Sequence, residues 1–181
     1  MSMVKHFREM ARNNAWSNQR LLSACAGLSN AAFATTRVSF FPSLKATLNH
    51  ILIVDWYYID ALEGTGRGYA IFDDELPFAT LPSLAEAQLA SDRRLIDYCD
   101  RLSEADLRRP VMLDRAARGM KSETVASVLP HLFIHQIHHR GQAHAMLSGT
   151  TVKPPQLDEF FLIEDRAATL PELEAIGLSR A

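Results

Sequence analysis

Apolar residues return at helical intervals in four stretches of this chain. Met3, Phe7, Met10, Leu21, Cys25 and Leu28 fall on one stripe and predict a first helix from Met3 to about Leu28, closed by Gly27 and the Leu28-Ser29-Asn30 run. Leu44, Leu48, Ile51, Leu52 and Ile59 form the apolar face of a second helix, from about Ser43 to Glu63. Ser43, after Pro42, suits its N-cap, and Gly64, Gly66 and Gly68 stop it. Ser83-Leu-Ala-Glu86 fits a capping box and predicts a third helix running to about Leu102. A fourth runs from near Ser122 to near Gly149, after Leu147. Between the third and fourth, Arg109–Asp114 and Arg118–Lys121 read either as a short hairpin or as an irregular loop. Beyond Pro154-Pro155, residues Gln156 to Asp165 predict one more short helix. Four helices of about twenty residues each make an all-α protein, a four-helix bundle with a short C-terminal segment.

Composition narrows the class. The 181 residues, with no internal repeat or linker, suit a single domain over 1–181 that can bury a sizeable core. A net charge of -2 argues against nucleic acid binding by bulk electrostatics. No run of eighteen apolar residues appears, so no membrane span is expected. The N-terminal stretch carries Lys5, Arg8 and Glu9 where a secretory signal needs an apolar centre. Cys25 and Cys99 stand far apart and form no CxxC, which fits core thiols of a reducing, cytoplasmic compartment.

Histidines change the picture most. His131, His135, His138 and His139 crowd into nine residues of the fourth helix. Imidazole is the commonest metal ligand and is costly to bury without a partner. Residues four apart lie one turn above each other on a helix, so the pairs His131/His135 and His135/His139 can each grip one ion. At about 100° per residue, Val128, Leu132, His135, His139 and Met146 share one arc with Gln142 at its edge. Phe133, Ile137, Arg140 and His144 lie nearly opposite. The competing pair is centred on the wetter sector of Thr124, His138 and Gln142. His135 and His139 are therefore the preferred metal pair, with His131 and His138 as flanking groups. His50 fits the third ligand: it sits in the apolar tract Thr47-Leu-Asn-His50-Ile-Leu-Ile-Val54 of another helix. Three protein ligands leave a coordination position open, as catalytic sites do.

Other motifs carry less. Gln136 follows His135, so the HExxH of zinc proteases is absent. Gly64-Thr-Gly66-Arg-Gly68 lacks the lysine and the strand–helix setting of a phosphate loop. Cys25 lies on an apolar stripe and reads as a core thiol. Asn14 shares the stripe of Phe7, Met10 and Leu21. It could bind substrate, orient a ligand histidine, or make a structural hydrogen bond to a neighbouring helix. Tyr57 shares the His50 face and is either a pocket-lining residue that binds substrate or a core aromatic with its hydroxyl at the rim. Arg140 suits a structural salt bridge or a dimer contact. Trp16, beside Glu9, Arg12 and Arg20, suits a partner surface more than a core.

His135-Gln-Ile-His138-His139-Arg140-Gly141-Gln142 resembles the HxxxHRGQ signature of the DinB-like metalloenzymes, a family named for DNA-damage-inducible proteins. The stretch Ala11-Arg-Asn-Asn14-Ala-Trp16-Ser-Asn18-Gln-Arg20-Leu21 resembles that family's first-helix pattern. Phe41-Pro-Ser-Leu44-Lys-Ala-Thr47-Leu-Asn49-His50 resembles the second, which ends on a ligand histidine. Pro155-Gln-Leu-Asp158 resembles the tail. The resemblance implies a bundle in an up-up-down-down-like arrangement, usually dimeric. It implies a divalent ion on His50, His135 and His139, zinc or nickel first and iron next. It also implies a small-molecule substrate, since characterised relatives include S-transferases that use bacillithiol or mycothiol and a thiol-dependent isomerase of maleylpyruvate. Fold follows from such a likeness more safely than substrate does.

Two classes of function remain. One is a metal-dependent enzyme, either a transferase using a low-molecular-weight thiol or a hydrolase. The other is a non-catalytic metal-binding stress-response protein. No carboxylate is evident on the His50 face to serve as a base, which leans toward the thiol route.

Overall fold

The computed structural model describes residues 2–179. In chain order the elements are α1 (Met3–Cys25), a short α2 (Asn30–Ala34), α3 (Leu44–Glu63), α4 (Leu81–Arg101), β1 (Pro110–Asp114), β2 (Met120–Thr124), α5 (Val125–Ser148) and α6 (Arg166–Ala175). The long helices α1, α3, α4 and α5 pack side by side, most extensively α1 on α4 and α3 on α5. No helix among the described residues is long and apolar enough to cross a membrane.

Paired residues give the helix directions. Arg12 meets Asp100 and Asn18 meets Asp92, so α1 and α4 are antiparallel. His50 faces His135 while Tyr58 faces His131, so α3 and α5 are antiparallel. Gln88 meets Asp55 and Arg94 meets Asp60, so α3 and α4 run parallel. The order is therefore up-down-down-up, not the up-up-down-down arrangement the family likeness suggested. The physical reason lies in residues 64–80, a connection long enough to return the chain along a helix of about 30 Å at roughly 3.3 Å per residue.

Local signals set most helix ends. Ser43 caps α3 by accepting from the Ala46 amide at 3.1 Å, and Gly64 ends it in the left-handed region at φ 72°. Helix α4 starts earlier than the Ser83 capping box predicted. Thr80 takes the N-cap position and Pro82 falls in the first turn, where its missing N–H costs nothing. Ser83 instead donates to the Thr80 carbonyl at 3.1 Å. The α4–α5 connection is a hairpin, with Val111 opposite Glu123 and Leu113 opposite Lys121. Ser122 belongs to its second strand, and α5 starts after Thr124, which accepts from the Ser127 amide at 3.2 Å.

The C-terminal expectation needs correcting. Residues 156–165 form bends and turns, and the helix follows them as α6. The reason is Phe160, which is withdrawn from any helix face into a small core with Trp16 and Leu173. Trp16 is accordingly no partner surface. It is 1% exposed, its Nε1 donates to the Glu172 carboxylate, and the Arg20 guanidinium lies over its ring.

Two apolar clusters fill the bundle. One gathers Phe7, Ala11, Ala15, Ile59, Leu95 and Leu129; the other gathers Leu21, Leu48, Leu52, Leu84 and Leu147. Between them lies a polar layer drawn from all four long helices. Asp92 accepts from Asn14, Asn18 and Gln88 at 3.2, 2.9 and 3.2 Å. Asp55 accepts from Gln88 at 2.7 Å and from Gln136. Arg140 donates to Asn14 and, at 3.0 Å, to Asn18. All seven side chains are buried, and mutual hydrogen bonding is what makes their burial tolerable.

Candidate metal centre

Helix α3 brings His50, and α5 brings His135 and His139, to the level of that polar layer. Each offers one ring nitrogen, and the three nitrogens lie within 4.8 Å of one another. His50 Nε2 and His135 Nε2 stand 3.1 Å apart. Two nitrogens bound to one tetrahedral zinc at about 2.0–2.1 Å would be separated by about 3.3 Å, so the pair is already near ligand spacing. On His139, Nδ1 donates to Gln142 Oε1 at 2.8 Å, which leaves the Nε2 lone pair free. Gln142 is held in turn by His138, whose Nε2 lies 3.1 Å from its Nε2. His135 Nδ1 is buried with no hydrogen-bond partner among the described residues.

The electrostatics favour metal over protons. Burial, then the neighbouring His139, pushes His50 down to about 4. Burial, then His139 and His50, pushes His135 down to about 3. Burial lowers His139 too, partly offset by Gln142. Near neutrality all three rings are uncharged, the state a cation requires. The residues present therefore fit a divalent ion.

Two walls flank the triad. Phe41 packs on His50 with ring centroids 4.2 Å apart and on His139 at 5.5 Å. On the other side a cleft of about 530 Å³ contains His50, His135, Tyr57, Tyr58, Phe72 and Arg115 in its lining. Tyr57 is thus beside the histidines, and its hydroxyl donates to the Asp114 carbonyl at 2.5 Å. Burial raises its pKa and Arg115 opposes the rise. Asn14 is elsewhere: it is buried in the polar layer, bonded to Asp92 and Arg140, and lines neither wall. Arg140 belongs to that layer as well and is 4% exposed. His131 faces Tyr58 outside the triad, His138 supports Gln142, and His144 bonds the Pro155 carbonyl at 2.9 Å. Cys25 and Cys99 are buried thiols, both pushed up to about 12 chiefly by burial.

Sequence reasoning missed Asp55, Asp92, Gln88 and Arg115, and gave Phe41 no role beyond its place in the second-helix pattern. Only Asp55 carried a visible signal, a lone carboxylate within the apolar run from Ile51 to Ile59. The others sit in ordinary polar or loop positions, and only the tertiary structure brings them into contact.

Comparison with known proteins agrees with this fold. The chain is 24% identical over 139 residues to Protein DinB of Bacillus subtilis (strain 168), covering 74% of this chain and 80% of that protein. Its fold is similar to that of a DinB-like protein from Bacillus cereus ATCC 10987, with a TM-score of 0.62, 16% identity, and coverage of 79% of this chain and 89% of the other. A DinB-like protein from Bacillus subtilis aligns with a TM-score of 0.57 and 18% identity, covering 86% of this chain and 98% of that one. The model of the DinB family matches residues 2–170, and the chain belongs to that family.

Proposed function

We propose that this protein is a metal-dependent enzyme whose divalent ion is held by His50, His135 and His139, and that it transfers a low-molecular-weight thiol to a small electrophile. Three neutral imidazoles suit zinc, nickel, iron or copper, and we take zinc or nickel first with iron next. The observation that carries the reading is the cleft: two of the three histidines, His50 and His135, form part of its wall and face a space large enough for a small molecule. A purely structural site would be closed by a fourth protein ligand, and no fourth histidine, cysteine or carboxylate joins the group among the described residues.

An ion in this setting supplies Lewis acidity and favours the deprotonated form of a thiol or water beside it. The protein's own groups do the rest. Phe41 packs against His50 on one side, and the Tyr57–Phe72 pair, with centroids 5.3 Å apart, gives the cleft an apolar wall for a bound molecule. Gln142 holds the His139 ring in one tautomer. No carboxylate lines the cleft, so nothing there is placed to act as a general base on water. Asp55 and Asp92, the nearest buried acids, are enclosed in the polar layer. That absence favours a nucleophile that ionises readily, a thiol, over the hydrolytic alternative. We also infer a homodimer, because Ile134 and Ile137 of α5 stay 67% and 52% exposed and Ile137 lines a surface cleft with exposed Phe161.

Cobalt-substituted protein tests the chemistry. Adding N-acetylcysteine should change the visible spectrum, with a pH midpoint well below the roughly 8.5 of a free thiol. A spectrum that responds to acetate but to no thiol would replace transfer with hydrolysis. A spectrum indifferent to both would leave a non-catalytic metal-binding protein.

A further inference from the structure

The hairpin places a cation in the cleft without neutralising it. Arg115 closes the β1–β2 turn: its amide donates to the Gly119 carbonyl at 3.2 Å, and its carbonyl accepts from the Arg118 amide at 3.1 Å. Ala116, next in the chain, is the one described non-glycine residue with positive φ, at 52°. A strained backbone of this kind persists only where its surroundings hold it. Here the Asp114 carboxylate does so, accepting from the Ala116 amide at 3.0 Å and the Tyr69 amide at 3.1 Å. Asp114 is therefore occupied by backbone amides and forms no ion pair with the arginine beside it.

The Arg115 side chain is half-buried over two tyrosines. Its guanidinium lies 5.9 Å from the Tyr57 ring centre and 5.7 Å from that of Tyr58. No carboxylate lies within ion-pair distance of it among the described residues. The other buried or half-buried arginines all have partners: Arg12, Arg20 and Arg94 pair with carboxylates, Arg8 and Arg37 donate to backbone carbonyls, and Arg140 donates to Asn14 and Asn18. The same cleft wall holds His50 and His135, which are neutral at pH 7, and Tyr57. Arg118 at the exposed tip is the only other cation lining it.

We propose that Arg115 is the anchor for a carboxylate carried by the small molecule that occupies this cleft, with Tyr57, Tyr58 and Phe72 packing against its planar part. A half-buried guanidinium over an aromatic platform, with no carboxylate paired to it and facing a ligand-sized space, suits a planar oxoanion bound through paired N–H donors. The proposal rests on the enzymatic reading of the cleft and specifies its substrate class: anionic, carboxylate-bearing small molecules. The carboxylate belongs either to the thiol or to its electrophilic partner.

Two probe pairs test this on metal-loaded protein and separate the two sources. Benzoate is compared with benzamide, and N-acetylcysteine with its amide, by calorimetric or fluorescence titration. In each pair the shape is kept and the charge removed. At least one acid should bind at least tenfold more tightly than its amide. Arg115→Ala should abolish that selectivity with metal content unchanged, while Arg118→Ala should leave it within about twofold. Selectivity confined to N-acetylcysteine assigns the carboxylate to the thiol; selectivity confined to benzoate assigns it to the partner. Among the described residues the Arg115 side chain makes no hydrogen bond, so the variant should stay folded. Acid selectivity that survives Arg115→Ala, or that falls equally in Arg118→Ala, overturns the assignment, as does its absence from the native protein. Failure of the metal reading registers separately, as loss of bound metal from a protein that still tells acid from amide.

Discussion

Replacing Asp55 by Asn should make the protein more stable at neutral pH, and the gain should grow with pH. Asp55 and Asp92 share one dry layer with a single guanidinium, Arg140, which balances only one negative charge. Asp92 accepts from three side-chain amides and Asp55 from two, so Asp92 is the better-supported carboxylate. Burial, then the charge of Asp92, pushes Asp55 up to about 8 from an ordinary 3.8. Burial, opposed by its amide donors and Arg140, takes Asp92 only to about 6. Between pH 3.8 and about 8 the folded protein therefore keeps a proton on Asp55 that the unfolded chain has lost. Folded protein binds more protons than unfolded in that window, so native stability falls as pH rises, by about 1.4 kcal/mol per pH unit for one group.

An Asn at this position carries no such proton. From pH 5.5 to 7.5 the stability difference between Asp55→Asn and the native protein should move in favour of the variant by about 2.7 kcal/mol. Urea denaturation of both proteins at equal metal loading reads this directly. The histidines titrate alike in both, so their contributions cancel in the difference. A difference that stays flat across this range would refute the argument. One that moves the other way would mean that Asp55 is ionised in the fold, with its pKa lowered by Arg140.

The other predictions concern the ligands, the arginine and the assembly. Single changes of His50, His135 or His139 to Ala should abolish stoichiometric metal by elemental analysis, whereas His144→Ala, at a residue bonded to Pro155, should retain it. Full metal content in His50→Ala would remove it from the ligand set. Arg140→Met should cost about 3–5 kcal/mol in urea denaturation, because it leaves a buried carboxylate charge without its cation. A loss below about 1 kcal/mol would mean that both acids are protonated in the fold. Sedimentation at micromolar protein should give a species twice the 20.2 kDa of one chain, and Ile137→Asp should return it to a monomer. A single-chain mass for the native protein would exclude the dimer.

The four long helices were legible because each carries an apolar stripe that must be buried, and periodicity reports burial directly. Their ends were less legible where two residues competed for one role. Thr80 and Ser83 can both cap, and the choice fell to Thr80 because Pro82 favours the first turn. The last helix was misplaced because Phe160 and Trp16 bury each other across more than a hundred residues of sequence, a contact no local pattern records. The triad was legible for the opposite reason. Two of its members repeat at helical spacing on α5, and the third is an imidazole isolated in an apolar run. Arg115 gave no such signal, since its setting is created by a turn at the far end of a hairpin.

The polar layer explains why the triad can be well placed on helices that share mostly interchangeable apolar contacts. Gln136 and Arg140 each follow a histidine of the triad, so α5 presents His135 and His139 to one side and Gln136 and Arg140 to another. Apolar packing alone tolerates small rotations and slips of a helix, because one methyl group fits nearly as well as another. Hydrogen bonds from Gln136 to Asp55 and from Arg140 to Asn14 and Asn18 do not, since a shift of one residue would strand buried charges. Asp55 also lies on the same helix as His50. The contact between Gln136 and Asp55 therefore sets α3 and α5 in one register, and that register brings His50 Nε2 to 3.1 Å from His135 Nε2. The layer's desolvation cost is offset by its own hydrogen bonds, and the register it sets keeps the three imidazoles together.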